Sequence, residues 1–158
     1  MSRSIVVLLI GLLVSGCQNI EVEKAVRITD VQTGWYDAGI VEGQKNKLVP
    51  SISLRLENVT KDSVESVQIN AIFRRIGEQE AWGEHYVMAI PREGLAPGAK
   101  TRPIVLRSNL GYTGTQSRLQ MLQNREFVDA KVEIYGKSGS RTWVKLAEHQ
   151  IARNLLTE

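Results

Sequence analysis

One thiol and two imidazoles are the groups in this 158-residue chain best suited to nucleophilic or near-neutral acid–base chemistry: Cys17, His85 and His149. A nucleophile needs a base within reach, and a metal needs ligands at matched spacing. The two histidines are far apart in sequence and show neither H-x-H nor H-x-x-x-H spacing. No G-x-S-x-G elbow and no acidic cluster of the calcium-loop kind occurs. Gly136-Lys137-Ser138 mimics the end of a phosphate-binding loop, but that loop needs a glycine five residues earlier, where Lys131 stands. The residues therefore predict no enzyme, with no catalytic residue, no metal and no bound cofactor.

Cys17 is different in kind. It is the only cysteine, in a chain whose start reads as an export signal, and a secreted domain normally uses cysteines in pairs. Met1 to Ser4 form a short n-region carrying Arg3, and Ile5 to Val14 form an apolar run broken only by Gly11. That run is short of the roughly 20 apolar residues needed to cross a bilayer, and Gln18, Asn19 and Glu21 follow it closely. The stretch Leu13-Val14-Ser15-Gly16-Cys17 resembles a bacterial lipobox. The resemblance implies cleavage between Gly16 and Cys17, a thioether-linked lipid on Cys17, and membrane attachment of everything downstream. It also accounts for a lone thiol in an exported domain. In that family an aspartate after the cysteine favours retention at the inner membrane; Gln18 here implies the periplasmic face of the outer membrane, or the cell surface in a single-membrane host. The organisation expected is a signal peptide over 1–16, a tether over 17–24 and one domain over 25–156.

The formal net charge is +3, and loss of residues 1–16 removes one basic residue, Arg3, and no acidic one, leaving +2. Charges of both signs are interspersed, so a pI of about 9.1 gives no footprint for nucleic acid. One domain's worth of chain with 42% hydrophobic residues can bury a core without disulfides.

The elements that build this domain are strands. Ser51 to Glu57 alternates apolar and polar residues, the period of a half-buried strand, and places Leu54 inward and Ser53 outward. Val67, Ile69, Ala71 and Phe73 repeat the pattern, as do Val128, Ala130, Val132 and Ile134. Further strands are expected at 25–36 (with a register change near Gly34), 81–90, 101–107 and 141–151. Turns are expected at 37–39, 42–46, 58–63, 94–98 and 136–140, where Gly, Pro, Asn, Asp and Ser gather. Asn58-Val59-Thr60 matches a glycosylation sequon but reads as a turn in which Asn accepts unusual backbone angles. About seven strands separated by turns predict an all-β, antiparallel, immunoglobulin-like sandwich with one short helix.

Two of those turns and the strands beside them resemble immunoglobulin-like domains of the FxLYD kind. The matching residues are Leu54 to Thr60, Val64 to Phe73, and Gly94-Leu95-Ala96-Pro97-Gly98. The resemblance implies a small extracytoplasmic β-sandwich. The motif that names those domains is absent, since residues 131–135 read Lys-Val-Glu-Ile-Tyr.

Only Thr115 to Gln123 has helical spacing, with Leu119 and Leu122 three apart and Thr115 or Ser117 as N-cap. Just before it, Gly111-Tyr112-Thr113-Gly114 interrupts the β pattern and sets an aromatic between two glycines. Loops held by a rigid scaffold are where binding residues gather. The segment is therefore expected to bind a partner, with Tyr112 projecting as the anchor and Gln116, Arg118 and Gln120 as polar contacts around it. The function these readings predict is a non-enzymatic lipoprotein, anchored to the membrane through Cys17. Its sandwich would serve as a protein-binding accessory or scaffold subunit in the cell envelope. The alternative is a module for a small or lipidic ligand within an envelope transport system.

Overall fold

The computed structural model describes residues 20–156. Gly16 and Cys17, with the signal and lipid-attachment readings placed on them, lie outside the described residues. The chain forms a short helix α1 (Val22–Ala25) and then β1 (Val26–Val41), β2 (Lys45–Asn58), β3 (Val67–Arg75), β4 (Gly83–Ile90), β5 (Ile104–Arg107) and β6 (Tyr112–Gly114). Helix α2 (Arg118–Gln123), β7 (Ala130–Ser138), β8 (Val144–Gln150) and β9 (Leu155–Leu156) complete it. One sheet has the order β5-β2-β1-β9, with β6 also paired to β2; the other has the order β4-β3-β7-β8. All pairings are antiparallel except β1 with β9.

The expected β-sandwich is what the chain forms. Each of the seven expected strands is present, and β6 and β9 add two more. The alternation read from the sequence is the alternation of burial except at Val128, which lies before β7 begins and is 39% exposed. Ile52, Leu54 and Leu56 of β2, Val67, Ile69, Ala71 and Phe73 of β3, and Ala130, Val132 and Ile134 of β7 are fully buried in one core. No helix among the described residues is long and apolar enough to cross a membrane.

Several local expectations need correction. The expected tether is folded from Glu21 on: α1 sets Val22 and Ala25 into the core, at 3% exposure each, so the domain begins earlier than residue 25. The described residues thus hold two short helices. The register change in β1 lies between Thr29 and Gln32, where Asp30 takes a positive φ, and not at Gly34. Gly34 serves another need, since a Cβ there would stand 2.7 Å from Leu156 Cγ where β9 crosses. Asp37-Ala38-Gly39 is a second irregularity within β1, not a turn. At the other hairpin β7 runs through Ser138, and Gly136 lies inside the strand, where a Cβ would meet Leu146 Cδ1 at 2.6 Å.

Asn58 does more than turn the chain. It is fully buried and its φ is not positive. Its Nδ2 donates to the carbonyls of Asp62 and Leu95 at 2.8 Å each, and its Oδ1 accepts from the backbone N–H and hydroxyl of Thr60. One side chain thereby joins the 58–63 turn to the 94–98 turn, which a Val64–Leu95 bridge also links.

Candidate functional site

The segment around Tyr112 departs from expectation in its most specific point. Tyr112-Thr113-Gly114 is no break in the β pattern: it is β6, paired with Leu48-Lys47-Asn46 of β2. Gly111 is required there because a Cβ would run into the Leu48 carbonyl oxygen and the Val49 side chain. The Tyr112 ring does not project. It lies against Trp35, Trp82 and Phe127, at centroid distances of 5.7, 4.8 and 4.8 Å. Its hydroxyl donates to the Val128 carbonyl at 3.1 Å. Burial raises the phenol pKa above its ordinary value, the direction expected when the charged form is desolvated. Tyr112 belongs to an aromatic cluster whose centre, Trp35, has no exposure at all.

The other three expected contact residues have structural work of their own. Arg118 forms an ion pair with Asp37 of β1. Gln120 accepts from the Ser117 backbone N–H and hydroxyl, while the Ser117 hydroxyl accepts from the Gln120 N–H, a complete capping box. Gln116 is exposed, and its carbonyl accepts from Asn46 Nδ2. Among the helix leucines, Leu122 turns inward with Met121, whereas Leu119 is 61% exposed. Sequence spacing had paired Leu119 with Leu122; a six-residue helix meets the sheet on too narrow a face to bury both. The segment is held rigidly, and it presents Leu119, Gln116 and the neighbouring Leu110 to solvent. A shallow hollow of ≈ 230 Å³ lies beneath, lined by Tyr112, Gln116, Met121 and Phe127 among others.

A residue that the sequence did not single out fastens this segment. Arg153 donates from Nε to Asp129 at 2.6 Å, from Nη1 to the Leu122 carbonyl and from Nη2 to the Phe127 carbonyl, with its guanidinium over the Phe127 ring. Nothing in the isolated sequence distinguishes this arginine from the others.

The two long seams between the sheets differ. Where β4 faces β5, the seam is stitched by polar contacts. His85 Nδ1 lies 3.0 Å from both the N–H and the carbonyl oxygen of Arg107, and the Glu84 N–H donates to Asn109. Where β1 faces β8, the seam opens into a groove of ≈ 590 Å³. Val26, Ile28 and Val31 form one wall, and Leu146 and Ala147 the other. Val59 and Glu23 stand at the end nearest α1, together with Arg27 and Lys145. Further along β1 the Thr33 hydroxyl donates to the Gln150 carbonyl and accepts from the Ala152 N–H. His149 lines the groove, its Nε2 buried with no hydrogen-bond partner.

His85 braces the β4/β5 seam, and His149 lines the β1/β8 groove. Among the described residues no three His, Cys, Asp or Glu side chains are grouped to hold a metal. No family model matches the chain, and no curated protein does. A solved structure described as an X-ray structure of Northeast Structural Genomics Consortium target SoR45 superimposes with a TM-score of 0.46 and 10% identity, covering 82% of this chain and 88% of that one.

Proposed function

We propose that this chain is a lipid-anchored, non-enzymatic protein of the cell envelope, tethered through Cys17 at the periplasmic face of the outer membrane. Its sandwich is an accessory or scaffold module that binds another envelope protein. The FxLYD-type, immunoglobulin-like resemblance supports an extracytoplasmic setting. The observation that carries the binding half of the reading is the rigid presentation of Leu119. A helix capped by Ser117 and Gln120 and tied to β1 through Arg118–Asp37 holds a large apolar side chain in water. Preorganised apolar anchors of this kind bind partners at small entropic cost. Leu119 is the anchor, with Gln116 beside it, a role that the Tyr112 ring does not fill from within the aromatic cluster.

The two halves are tested separately. Cys17→Ser should abolish labelling by a fatty-acid probe and release the protein from membranes or leave it as uncleaved precursor; equal labelling of both forms removes the anchor. For the module, Leu119→Glu should reduce capture of a partner from detergent-solubilised envelope by about tenfold or more while the melting temperature holds. Unchanged capture would dismiss this surface. A second reading, a module for a small or lipidic ligand, draws on the groove along the β1/β8 seam, although the paired cations at its mouth weigh against an anionic one.

A further inference from the structure

We infer that the groove between β1 and β8 is the resting place of this protein's own acyl chain when the protein is away from a bilayer; this rests on the lipidation of Cys17 proposed above.

The first support is shape. The groove runs along β1 from Val26 to Val31, past the irregularity at Asp30, an elongated lining suited to an extended hydrocarbon chain. Its ≈ 590 Å³ falls within the range of cavities that lodge small ligands. Beyond His149, the Thr33 hydroxyl ties β1 to Gln150 and Ala152, and Glu23 of α1 stands at the other end.

Charge supplies the second support and decides between a free amphiphile and a tethered chain. A free fatty acid or phospholipid brings an anionic head, which needs an unpaired cation at the mouth. Both mouth cations are already engaged. Arg27 reaches the Glu57 carboxylate at 3.0 and 3.2 Å, and Lys145 lies 3.2 Å from Glu133 and 2.5 Å from Glu148. Glu23 adds a carboxylate to the same rim. This mouth disfavours an anionic head and accepts a chain whose polar root is fixed elsewhere.

The third support is where the described chain starts. Cys17 is three residues before Ile20, a span of at most about 10 Å. Ile20 leads directly into α1, and Glu23 of α1 lines the groove. An acyl chain carried on Cys17 therefore starts no more than that length of chain from Ile20 and α1. Each buried methylene contributes about 0.8 kcal/mol, so even partial occupancy outcompetes exposure to water, whereas a bilayer offers the same gain without a groove. The device shields the lipid in transit and yields it to the membrane.

The test places p-benzoylphenylalanine at Val59, which lines the groove and is 47% exposed, in the full chain carrying its own signal. A control carries it at Val105, exposed on β5 at the opposite seam. The mature protein is purified, freed of detergent, irradiated and digested. The expected product joins the peptide containing position 59 to the lipid of the peptide beginning at Cys17. It should be absent for position 105, lost when Ala147→Trp fills the groove, and lost on transfer to phosphatidylethanolamine vesicles. Mixing isotopically light and heavy protein shows whether the bond is within one copy. No adduct from position 59, an adduct to added phospholipid, or one between copies overturns the inference. The mass of the Cys17 peptide, read in the same digest, reports lipidation independently, so failure of the anchor and failure of the groove are distinguishable.

Discussion

The rings of Tyr112 and Trp82 stand 4.8 Å apart. Tyr112 belongs to β6 of one sheet and Trp82 leads into β4 of the other, so the contact ties the two layers together at one end of the sandwich. Trp35 and Phe127 complete the cluster, 4.6 Å apart and edge to face. A residue that reads in sequence as a projecting anchor is a rivet between layers.

Tyr112→Ala should therefore destabilise the domain by about 2–4 kcal/mol, from lost ring burial and aromatic contact. Tyr112→Phe, which removes only the bond to the Val128 carbonyl, should cost about 0.5–1.5 kcal/mol. Denaturant titration measures both. A melting temperature unmoved by the alanine variant would return Tyr112 to the surface.

Leu54 and Val132 are both wholly buried in the shared core, from β2 and β7. Leu54→Ala should cost about 2–5 kcal/mol. Ser53→Ala, on the other face of β2, should stay within about 0.5 kcal/mol. Equal unfolding midpoints for the two would refute the register.

Glu133 sits 8% exposed on the outer face of its sheet, with Arg74 donating to it at 3.1 Å and Lys145 at 3.2 Å. Burial by itself raises a carboxyl pKa, but the hydrogen bonds from Arg74 and Lys145 outweigh it and the net shift is downward from 4.5. A lowered folded pKa means a contribution present above about 4.5 and lost as pH falls through the folded value. Wild type should lose stability more steeply than Glu133→Gln between pH 6 and pH 3, as read by urea midpoints at each pH. Parallel profiles would show that Glu133 gains nothing from its partners.

Arg153 is the clasp of the α2–β7 connection. Lysine carries the charge without the planar fork, so Arg153→Lys keeps at most part of the three-way bonding to Asp129, Leu122 and Phe127. The expected loss is about 1–3 kcal/mol, with amide exchange accelerated mainly over 122–129. Exchange unchanged in that stretch would mean that the connection is held by packing alone.

What could be read without coordinates was whatever repeats over short distance. Ile52-Ser53-Leu54-Arg55-Leu56 declares its buried face because strand side chains alternate, and residues 94–98 declare a turn because Gly and Pro restrict or free the backbone locally. Ser117 could be named as a cap for the same reason. Tyr112 could not be placed, because glycine on both sides permits a projecting loop as readily as a close-packed edge strand. The choice was made by Leu48 and Val49, more than sixty residues away, leaving no room for a Cβ at Gly111. Arg153 finds its carbonyl partners, and the Thr33 hydroxyl its Gln150 and Ala152 partners, through pairings that no local pattern encodes. The groove is the clearest case. Val26 and Ile28 read as one face of an early strand, and Leu146 and Ala147 belong to another strand near the far end of the sequence. Only the tertiary structure decides that these strands run along the same seam and stop short of closing it, because a gap between sheets is a property of both edges together.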